Sequence, residues 1–139
     1  MNVHVVDASV AVKWFIPESH SEAAQRLLDE RNELHAPDLL FPEFGNTLWK
    51  KFRRDELTET EVSSAAVALS VVPLALYPSP MLLESALIIS MESSRTVYDG
   101  FYLALAVLLK CPLVTADDRL LNGLRGSALF RQVQHVVEL

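Results

Sequence analysis

Cysteine is nearly absent from this sequence: Cys111 is the only one among 139 residues, so no internal disulfide can form. Long apolar runs are absent as well, since none approaches the roughly 18 residues that a membrane-spanning helix needs. The N-terminus has neither the basic region nor the cleavage site of a signal peptide. These absences disfavour membrane proteins and disulfide-stabilised secreted proteins. We expect a cytoplasmic protein in which Cys111 is an inert, buried thiol.

Several common catalytic motifs are missing too. There is no G-x-S-x-G, and His4, His20, His35 and His135 have neither triad nor metal-ligand spacing, which disfavours a serine hydrolase. A haloacid-dehalogenase phosphatase needs an aspartate two residues after its nucleophile, where this chain has Ser9. A receiver domain needs an aspartate ending its central strand, whereas the apolar stretch LALY ends in Tyr77 and is followed by Pro78.

Positive charge is also scarce, because the formal net charge is −6. This balance disfavours a broad basic surface that binds nucleic acid by itself, although bound cations would reverse the sign locally. Half of the residues are hydrophobic, and the mean hydropathy of +0.22 is high for a small monomer. We therefore expect one domain over residues 1–139, with part of its apolar surface covered by a second copy or another partner.

The chain alternates short apolar strands with amphipathic helices and has no hairpin signal, which predicts an α/β fold with a mainly parallel sheet in a three-layer sandwich. The predicted strands run from Val3 to Asp7 and over Leu34–Ala36, Leu74–Tyr77, Leu113–Thr115 and Gln132–Val137. The predicted helices are Ser9–Phe15, one from Ser21, Asp38–Arg54 with a cap at Asp38, Thr58–Leu69 with a capping box, one from Pro80, Asp99–Lys110, and a short one through Leu124.

Four carboxylates fall where such a fold brings chain segments together. Asp7 and Asp117 directly follow apolar strands, Asp99 opens a helix that is apolar almost all round, and Glu43 lies among Phe41, Pro42 and Phe44. In parallel sheets, ligands bind at the carboxyl edge of the strands. The alternative for each aspartate is a simple helix cap, which is common.

If these carboxylates converge, each pair about 5 Å apart repels by roughly 3 kcal/mol at an effective dielectric of about 20. Ion pairs with Lys13, Arg95 or Arg119 are one way to offset that repulsion. One or two Mg²⁺ or Mn²⁺ ions are the stronger way, since these ions take oxygen ligands. Such a site suits phosphate chemistry, in which a metal activates water and steadies the leaving oxygen.

Other polar residues could support this site. We expect the hydroxyls of Ser9 and Thr115 to orient a carboxylate or a water, although plain capping would explain both. Asn46 and Lys50 share a helix face with Glu43. Asn46 would support the carboxylate ligands, and Lys50 would contact substrate phosphate. A solvated face is the alternative for Lys50 and for the lysine and arginines that follow it. Asp118 is a possible auxiliary acid beside Asp117.

The blocks VVDASVAVKWF, PEFGNTLWK, TVYDGFYLALA and LVTADDRL resemble, in this order, the four motifs of PIN-domain ribonucleases, particularly VapC-type toxins. The resemblance implies a PIN-like fold, a Mg²⁺- or Mn²⁺-dependent endoribonuclease, and ligands at Asp7, Glu43, Asp99 and Asp117. It also implies an RNA substrate, a homodimer and inhibition by an antitoxin protein. The alternative is a non-catalytic PIN-fold module that binds protein or RNA. The sequence departs from the family at Gly100, where alanine is usual, which predicts a looser helix start.

Overall fold

A computed structural model describes residues 2–139 and contains one sheet of five parallel strands in the order β3-β2-β1-β4-β5. The strands are β1 (Asn2–Val6), β2 (Asn32–Pro37), β3 (Leu74–Tyr77), β4 (Leu113–Thr115) and β5 (Val133–His135). The helices are α1 (Ala8–Phe15), α2 (Ser21–Arg26), α3 (Leu40–Arg53), α4 (Glu59–Ser70), α5 (Ser79–Ser93), α6 (Val97–Leu109) and α7 (Asp118–Leu124), with 3₁₀ turns at Ala128–Gln132 and Val136–Glu138. The predicted α/β fold with a parallel sheet is confirmed.

The helices form two groups around this sheet. α1 contacts α2, α3 and α4, whereas α6 packs on α5 and on strands β1, β2 and β4. The chain moves from β1 to β2 to β3 in one direction across the sheet and returns from β3 to β4 in the other. Since crossovers between parallel strands are right-handed, the two groups lie on opposite faces, giving three layers.

The core lies between these layers and is built from the residues that the apolar pattern indicates. Val5 and Val6 of β1 and Leu113 and Val114 of β4 are fully buried, as expected for central parallel strands. Cys111 is buried and free, as predicted. None of the helices in residues 2–139 has the length and apolar content for a membrane crossing.

Two predicted helix starts are wrong because the predicted capping side chain does not cap the helix. Asp38 does not cap α3, since its carboxylate accepts a hydrogen bond from the Ser79 hydroxyl at 2.5 Å and the helix begins at Leu40. Asp99 does not open α6, which begins at Val97, because Thr96 accepts from the Asp99 N–H at 3.1 Å. The capping box at Thr58 is confirmed.

Gly100 does not loosen the start of α6; it permits close packing there. A β-carbon built on Gly100 would lie 2.6 Å from the carbonyl oxygen of Ala86 and 2.6 Å from the Ser90 hydroxyl on α5. Only glycine allows this approach of the two helix backbones. The close contact fixes α6, and with it Asp99, against the neighbouring helix.

Candidate active site

A cavity of about 440 Å³ opens at the carboxyl edge of the sheet, and all four predicted carboxylates line it. Asp7 follows β1, Asp117 lies just beyond β4, and Glu43 and Asp99 lie in the first turns of α3 and α6. The strands end at this edge and the helices begin there, so residues distant in sequence meet in one place. The cavity thus joins the four carboxylates that the sequence singles out.

Asp7 is the most buried of the four, with 7% of its surface exposed. It caps α1 by accepting from the Val10 N–H at 3.2 Å, so the capping interpretation is correct, but its second role is to face the cavity. The hydroxyls of Ser9 and Thr115 donate to its two carboxylate oxygens at 2.6 and 2.5 Å. Burial outweighs these hydrogen bonds and raises the pKa of Asp7 to about 6.

Ser9 and Thr115 also tie the ends of β1 and β4 together. Their hydroxyl oxygens are 3.4 Å apart, Ser9 accepts from the Ala116 N–H at 3.0 Å, and Thr115 accepts from the Asp117 N–H at 3.0 Å. Each hydroxyl therefore donates to Asp7 and accepts from the chain that leads to Asp117. This arrangement supports the prediction that both residues orient carboxylates.

Asp117 and Asp118 are placed differently although they are neighbours. Asp117 caps α7, accepting from the backbone N–H of Arg119 at 3.0 Å and of Leu120 at 3.4 Å, and lines the cavity. The Asp118 side chain is 81% exposed, and one oxygen lies 3.4 Å from His135 Nε2. Asp118 is not among the residues that line the cavity.

Glu43 is held by a tyrosine that the sequence analysis did not identify. The Tyr102 hydroxyl donates to a Glu43 oxygen at 2.6 Å, and the tyrosine ring is buried. Burial raises the pKa of Glu43 despite this hydrogen bond, and burial together with the negative charge of Glu43 raises that of Tyr102 well above its usual value. Since Tyr102 follows Asp99 by three residues on α6, the helical spacing alone could have indicated that both face the same site.

Asp99 is half-buried, and burial is the main cause of its raised pKa. The negative charge of Asp117 raises it further, whereas nearby Arg95 lowers it. Asp117 likewise raises the pKa of Asp7, and Asp99 raises that of Glu43. Each carboxylate therefore lies within electrostatic range of at least one other.

The predicted ion-pair partners serve other groups. Lys13 pairs with Glu18, and Arg95 donates to the backbone carbonyl of Arg119 at 3.3 Å. Within residues 2–139, none of the four cavity carboxylates takes part in an ion pair. Their mutual repulsion is therefore offset only in part, by the charge of Arg95 near Asp99, and not by an ion pair.

Asn46 and Lys50 line the cavity on α3, as the helical spacing predicts. Lys50 is exposed, which agrees with the solvated alternative, and its contact with substrate stays a prediction. Lys51, taken from sequence as part of the solvated face, is instead largely buried beside Glu18, at 2.9 Å. Nothing in the sequence marks Glu18 as a cavity residue, because it lies in the loop after α1 and its partner Lys51 is 33 residues away along the chain.

The donor set of the site consists of carboxylate and hydroxyl oxygens, which hard divalent ions prefer. No three His, Cys, Asp or Glu side chains of the described chain converge tightly enough to enclose an ion by themselves. Mg²⁺ does not require that, because it keeps several water ligands and binds one or two carboxylates directly. The oxygen donors thus fit a hydrated Mg²⁺ or Mn²⁺ ion better than a dehydrated ion.

Comparisons with known proteins show the family and the fold of this chain. The sequence model of the PIN domain family matches residues 4–123. Ribonuclease VapC3 from Pyrobaculum aerophilum is 36% identical over 118 residues, which cover 84% of this chain and 90% of that protein. The crystal structure of PAE2754 from the same organism has a TM-score of 0.70 at 24% identity and covers 99% of this chain and 85% of that chain. A toxin-antitoxin complex from Klebsiella pneumoniae has a TM-score of 0.62 at 13% identity, over 96% and 97% of the two chains. Both structures share the fold.

Proposed function

Because this chain belongs to the PIN domain family, we propose that it is a metal-dependent endoribonuclease, the toxin of a toxin-antitoxin pair. Its relative VapC3 is named a ribonuclease and covers most of the chain. The chemistry would be hydrolysis of an RNA phosphodiester bond in the cytoplasm. RNA as the substrate comes from the relatives, since water attack on phosphorus does not itself need the 2′-hydroxyl.

One observation carries the proposal: four carboxylates from four separate elements line one cavity, and none of them forms an ion pair within residues 2–139. A protein that only bound a partner would gain nothing from this repulsion, which lowers stability. A site that recruits divalent cations does need such closely spaced, unpaired carboxylates. The catalytic function is therefore favoured over the non-catalytic binding module.

We propose that Asp7, Glu43, Asp99 and Asp117 hold one or two Mg²⁺ or Mn²⁺ ions. The ion would supply an activated water and stabilise the charge that grows on the phosphate. In formal terms, two divalent ions would balance the four carboxylates and reduce the net charge from −6 to −2. An acidic protein could then bind a polyanion at this one place.

The residues around the carboxylates would keep them in position and ionised. Ser9 and Thr115 donate to both oxygens of Asp7, which fixes its plane. Tyr102 fixes Glu43, and the first N–H groups of α7 fix Asp117. All these donors are neutral, so they orient the carboxylates without cancelling their charge. Asn46 and Lys50 would contact the substrate or its water from α3.

We further propose a homodimer and a cognate antitoxin as partners. Helix α5 exposes Met81, Leu83, Leu87, Ile88 and Met91, and Met91 is 75% exposed. Such an apolar surface is typical of an interface with another chain. The structural similarity to a chain of a toxin-antitoxin complex supports a protein inhibitor as well. Sedimentation of the purified protein at several concentrations would test the homodimer.

The test of the catalytic function compares two neighbouring aspartates. Wild-type protein should cleave RNA with added Mg²⁺ or Mn²⁺ and lose that activity in EDTA. Asp117→Asn should abolish cleavage, whereas Asp118→Asn, which alters a mostly exposed neighbour, should retain it. Equal loss in both variants, or cleavage that persists in EDTA, would contradict the proposed mechanism.

A further inference from the structure

The cavity is also lined by a cluster with a net positive charge, which consists of Lys13, Glu18 and Lys51. Lys13 Nζ lies 3.1 Å from one Glu18 oxygen, and Lys51 Nζ lies 2.9 Å from the other. The two lysine side chains are only 12% and 15% exposed, yet both lysines line the cavity. Glu18 therefore holds two largely buried ammonium groups at one edge of the site.

This cluster carries one positive charge in excess. Lys51 also lies 3.8 Å from Glu56, but Glu56 pairs with Arg54 at 2.5 Å and is already balanced. Three cations thus face two carboxylates. Burial disfavours the ionised form of Glu18, but hydrogen bonds from Lys51 and Lys13 outweigh burial and lower its pKa. Glu18 therefore stays ionised, and the surplus charge is a property of the folded protein.

Each lysine lies on the same helix as one of the cavity carboxylates, or on the helix that this carboxylate caps, near the far end of that helix. Lys13 lies six residues after Asp7 along α1, and Lys51 lies eight residues after Glu43 along α3. At a rise of 1.5 Å per residue, these separations are about 9 and about 12 Å along the helix axes. The helix dipole favours lysines in these last turns, but it does not account for burying two of them against one carboxylate at a cavity.

We propose that Lys13 and Lys51, positioned by Glu18, bind a backbone phosphate of single-stranded RNA next to the phosphodiester bond that is cut. A phosphodiester carries one negative charge, which matches the surplus of the cluster. Two divalent ions only neutralise the four carboxylates of the acidic half, so a contact with net positive charge that holds the strand must lie outside it. This phosphate site rests on the proposed ribonuclease function. A cavity of about 440 Å³ has the size of a small-ligand site, and it accommodates one strand rather than a duplex.

Salt dependence of RNA binding tests this site directly. Binding of a short labelled single-stranded RNA would be measured at several salt concentrations with Ca²⁺ as the only divalent ion, and intact RNA would be checked on a gel. Lys13→Met and Lys51→Met keep the buried aliphatic stem and leave Glu18 one partner. Each should weaken binding several-fold and reduce the slope of log K against log salt by about 0.7, the value for one lost contact to single-stranded backbone.

Two further variants separate phosphate binding from a purely structural cluster. Arg31→Met removes the same charge from an exposed arginine, paired with Asp29 beside the opposite end of β2, and should leave the slope unchanged. Glu18→Gln keeps one side-chain oxygen that accepts from a lysine and raises the surplus charge, so it should tighten RNA binding even while the thermal midpoint falls. A merely structural cluster predicts the lower midpoint without tighter binding.

The outcomes distinguish this site from the ribonuclease function. If both lysine variants cleave and bind RNA like the wild type, with the same slope of log K against log salt, the phosphate site is wrong and the nuclease proposal still stands. If the slope falls as much in Arg31→Met as in the lysine variants, the phosphate site is also wrong, because the effect would then be one of overall charge. A wild type that neither binds nor cleaves RNA would overturn both proposals.

Discussion

Both halves of the cavity contain carboxylates, but in opposite electrostatic environments. The acidic half contains Asp7, Glu43, Asp99 and Asp117, and the basic half contains Glu18 with Lys13 and Lys51. In the acidic half, burial and mutual repulsion raise the pKa values of Asp7, Glu43 and Asp99. In the basic half, hydrogen bonds from two lysines lower the pKa of Glu18 in spite of burial. The carboxylates of the acidic half have no ion-pair partner within residues 2–139, whereas every carboxylate of the basic cluster is paired and one positive charge is left over. This difference is why we propose that a cation completes the acidic half.

The hydrogen-bond donors explain how the acidic half tolerates this imbalance. Asp7 receives two hydroxyls and a backbone N–H, and Glu43 receives a tyrosine hydroxyl. Neutral donors stabilise a buried carboxylate without removing its charge. Ammonium groups at the same positions would compete with a metal ion. The chain places its lysines beside Glu18 instead, at the other side of the same cavity.

The largest expected effect comes from removing charge in the acidic half. Asp7→Asn should reduce Mg²⁺-dependent RNA cleavage by on the order of 100-fold or more, the scale for losing a group that stabilises the transition state. Lys51→Met should cost only several-fold, because it weakens binding of a flanking phosphate. Rates measured under single-turnover conditions compare the two. The exposed Asp29→Asn serves as a control, and similar losses in Asp7→Asn and Lys51→Met would erase the distinction between the halves.

The next effect concerns stability in the presence of metal. Mn²⁺ at about 100 times its Kd should stabilise the wild type by about 3 kcal/mol, which corresponds to roughly 10 °C for a domain of this size. Asp99→Asn should show a much smaller shift in a thermal melt, because one ligand and part of the repulsion are gone. Asp118→Asn is the matched control and should shift like the wild type. Equal shifts in all three proteins would contradict a shared metal site.

The pH dependence of the free energy of unfolding should reveal the raised pKa of the acidic half in the absence of metal. Burial raises the pKa of Asp7 from 3.8 to about 6, so the folded protein binds the proton more tightly than the unfolded chain. This stabilisation is present at low pH and is lost as the pH rises through about 6. Urea denaturation in EDTA should show that the wild type loses on the order of 2 kcal/mol relative to Asp7→Asn between acidic and neutral pH. Parallel pH profiles would show that Asp7 has no raised pKa.

The smallest effect tests the support of Glu43. Tyr102→Phe keeps the buried ring but removes the hydroxyl that donates at 2.6 Å. The Mg²⁺ concentration for half-maximal cleavage should rise about 10-fold, as for other partners that orient metal ligands, with a stability loss of only about 1 kcal/mol. Tyr98→Phe, on the same helix and more than half exposed, should change neither. An unchanged Mg²⁺ requirement in Tyr102→Phe would remove Tyr102 from the site.

The sequence predicts the acidic half better than the basic half for a physical reason. A carboxylate that directly follows a buried strand must lie at the carboxyl edge of a parallel sheet, so Asp7 and Asp117 could be placed from local pattern alone. Lys51 and Glu18 are 33 residues apart and meet only through packing of α3 against the α1 region. No local period marks such a pair, and a lysine near a helix end resembles any solvated residue.

Helix starts show the same limit at shorter range. Thr58 is identified because its capping box lies within four residues. The sequence predicts Asp38 as a cap too, but wrongly, since its carboxylate accepts a hydrogen bond from Ser79 on a different helix. Asp99 is displaced from the cap by Thr96, three residues earlier, which leaves its carboxylate free to face the cavity. A residue that is able to cap a helix can therefore contact something else, either because a distant residue engages it or because a neighbour caps the helix first.

The most direct test of the central claim is a crystal structure of the protein grown or soaked with Mn²⁺, with anomalous diffraction recorded to locate the ion. One or two Mn²⁺ peaks should lie among Asp7, Glu43, Asp99 and Asp117, with the Lys13, Glu18 and Lys51 cluster unchanged beside them. Mn²⁺ bound elsewhere, or a cavity without manganese at saturating concentration, would contradict the claim that these carboxylates form a metal site.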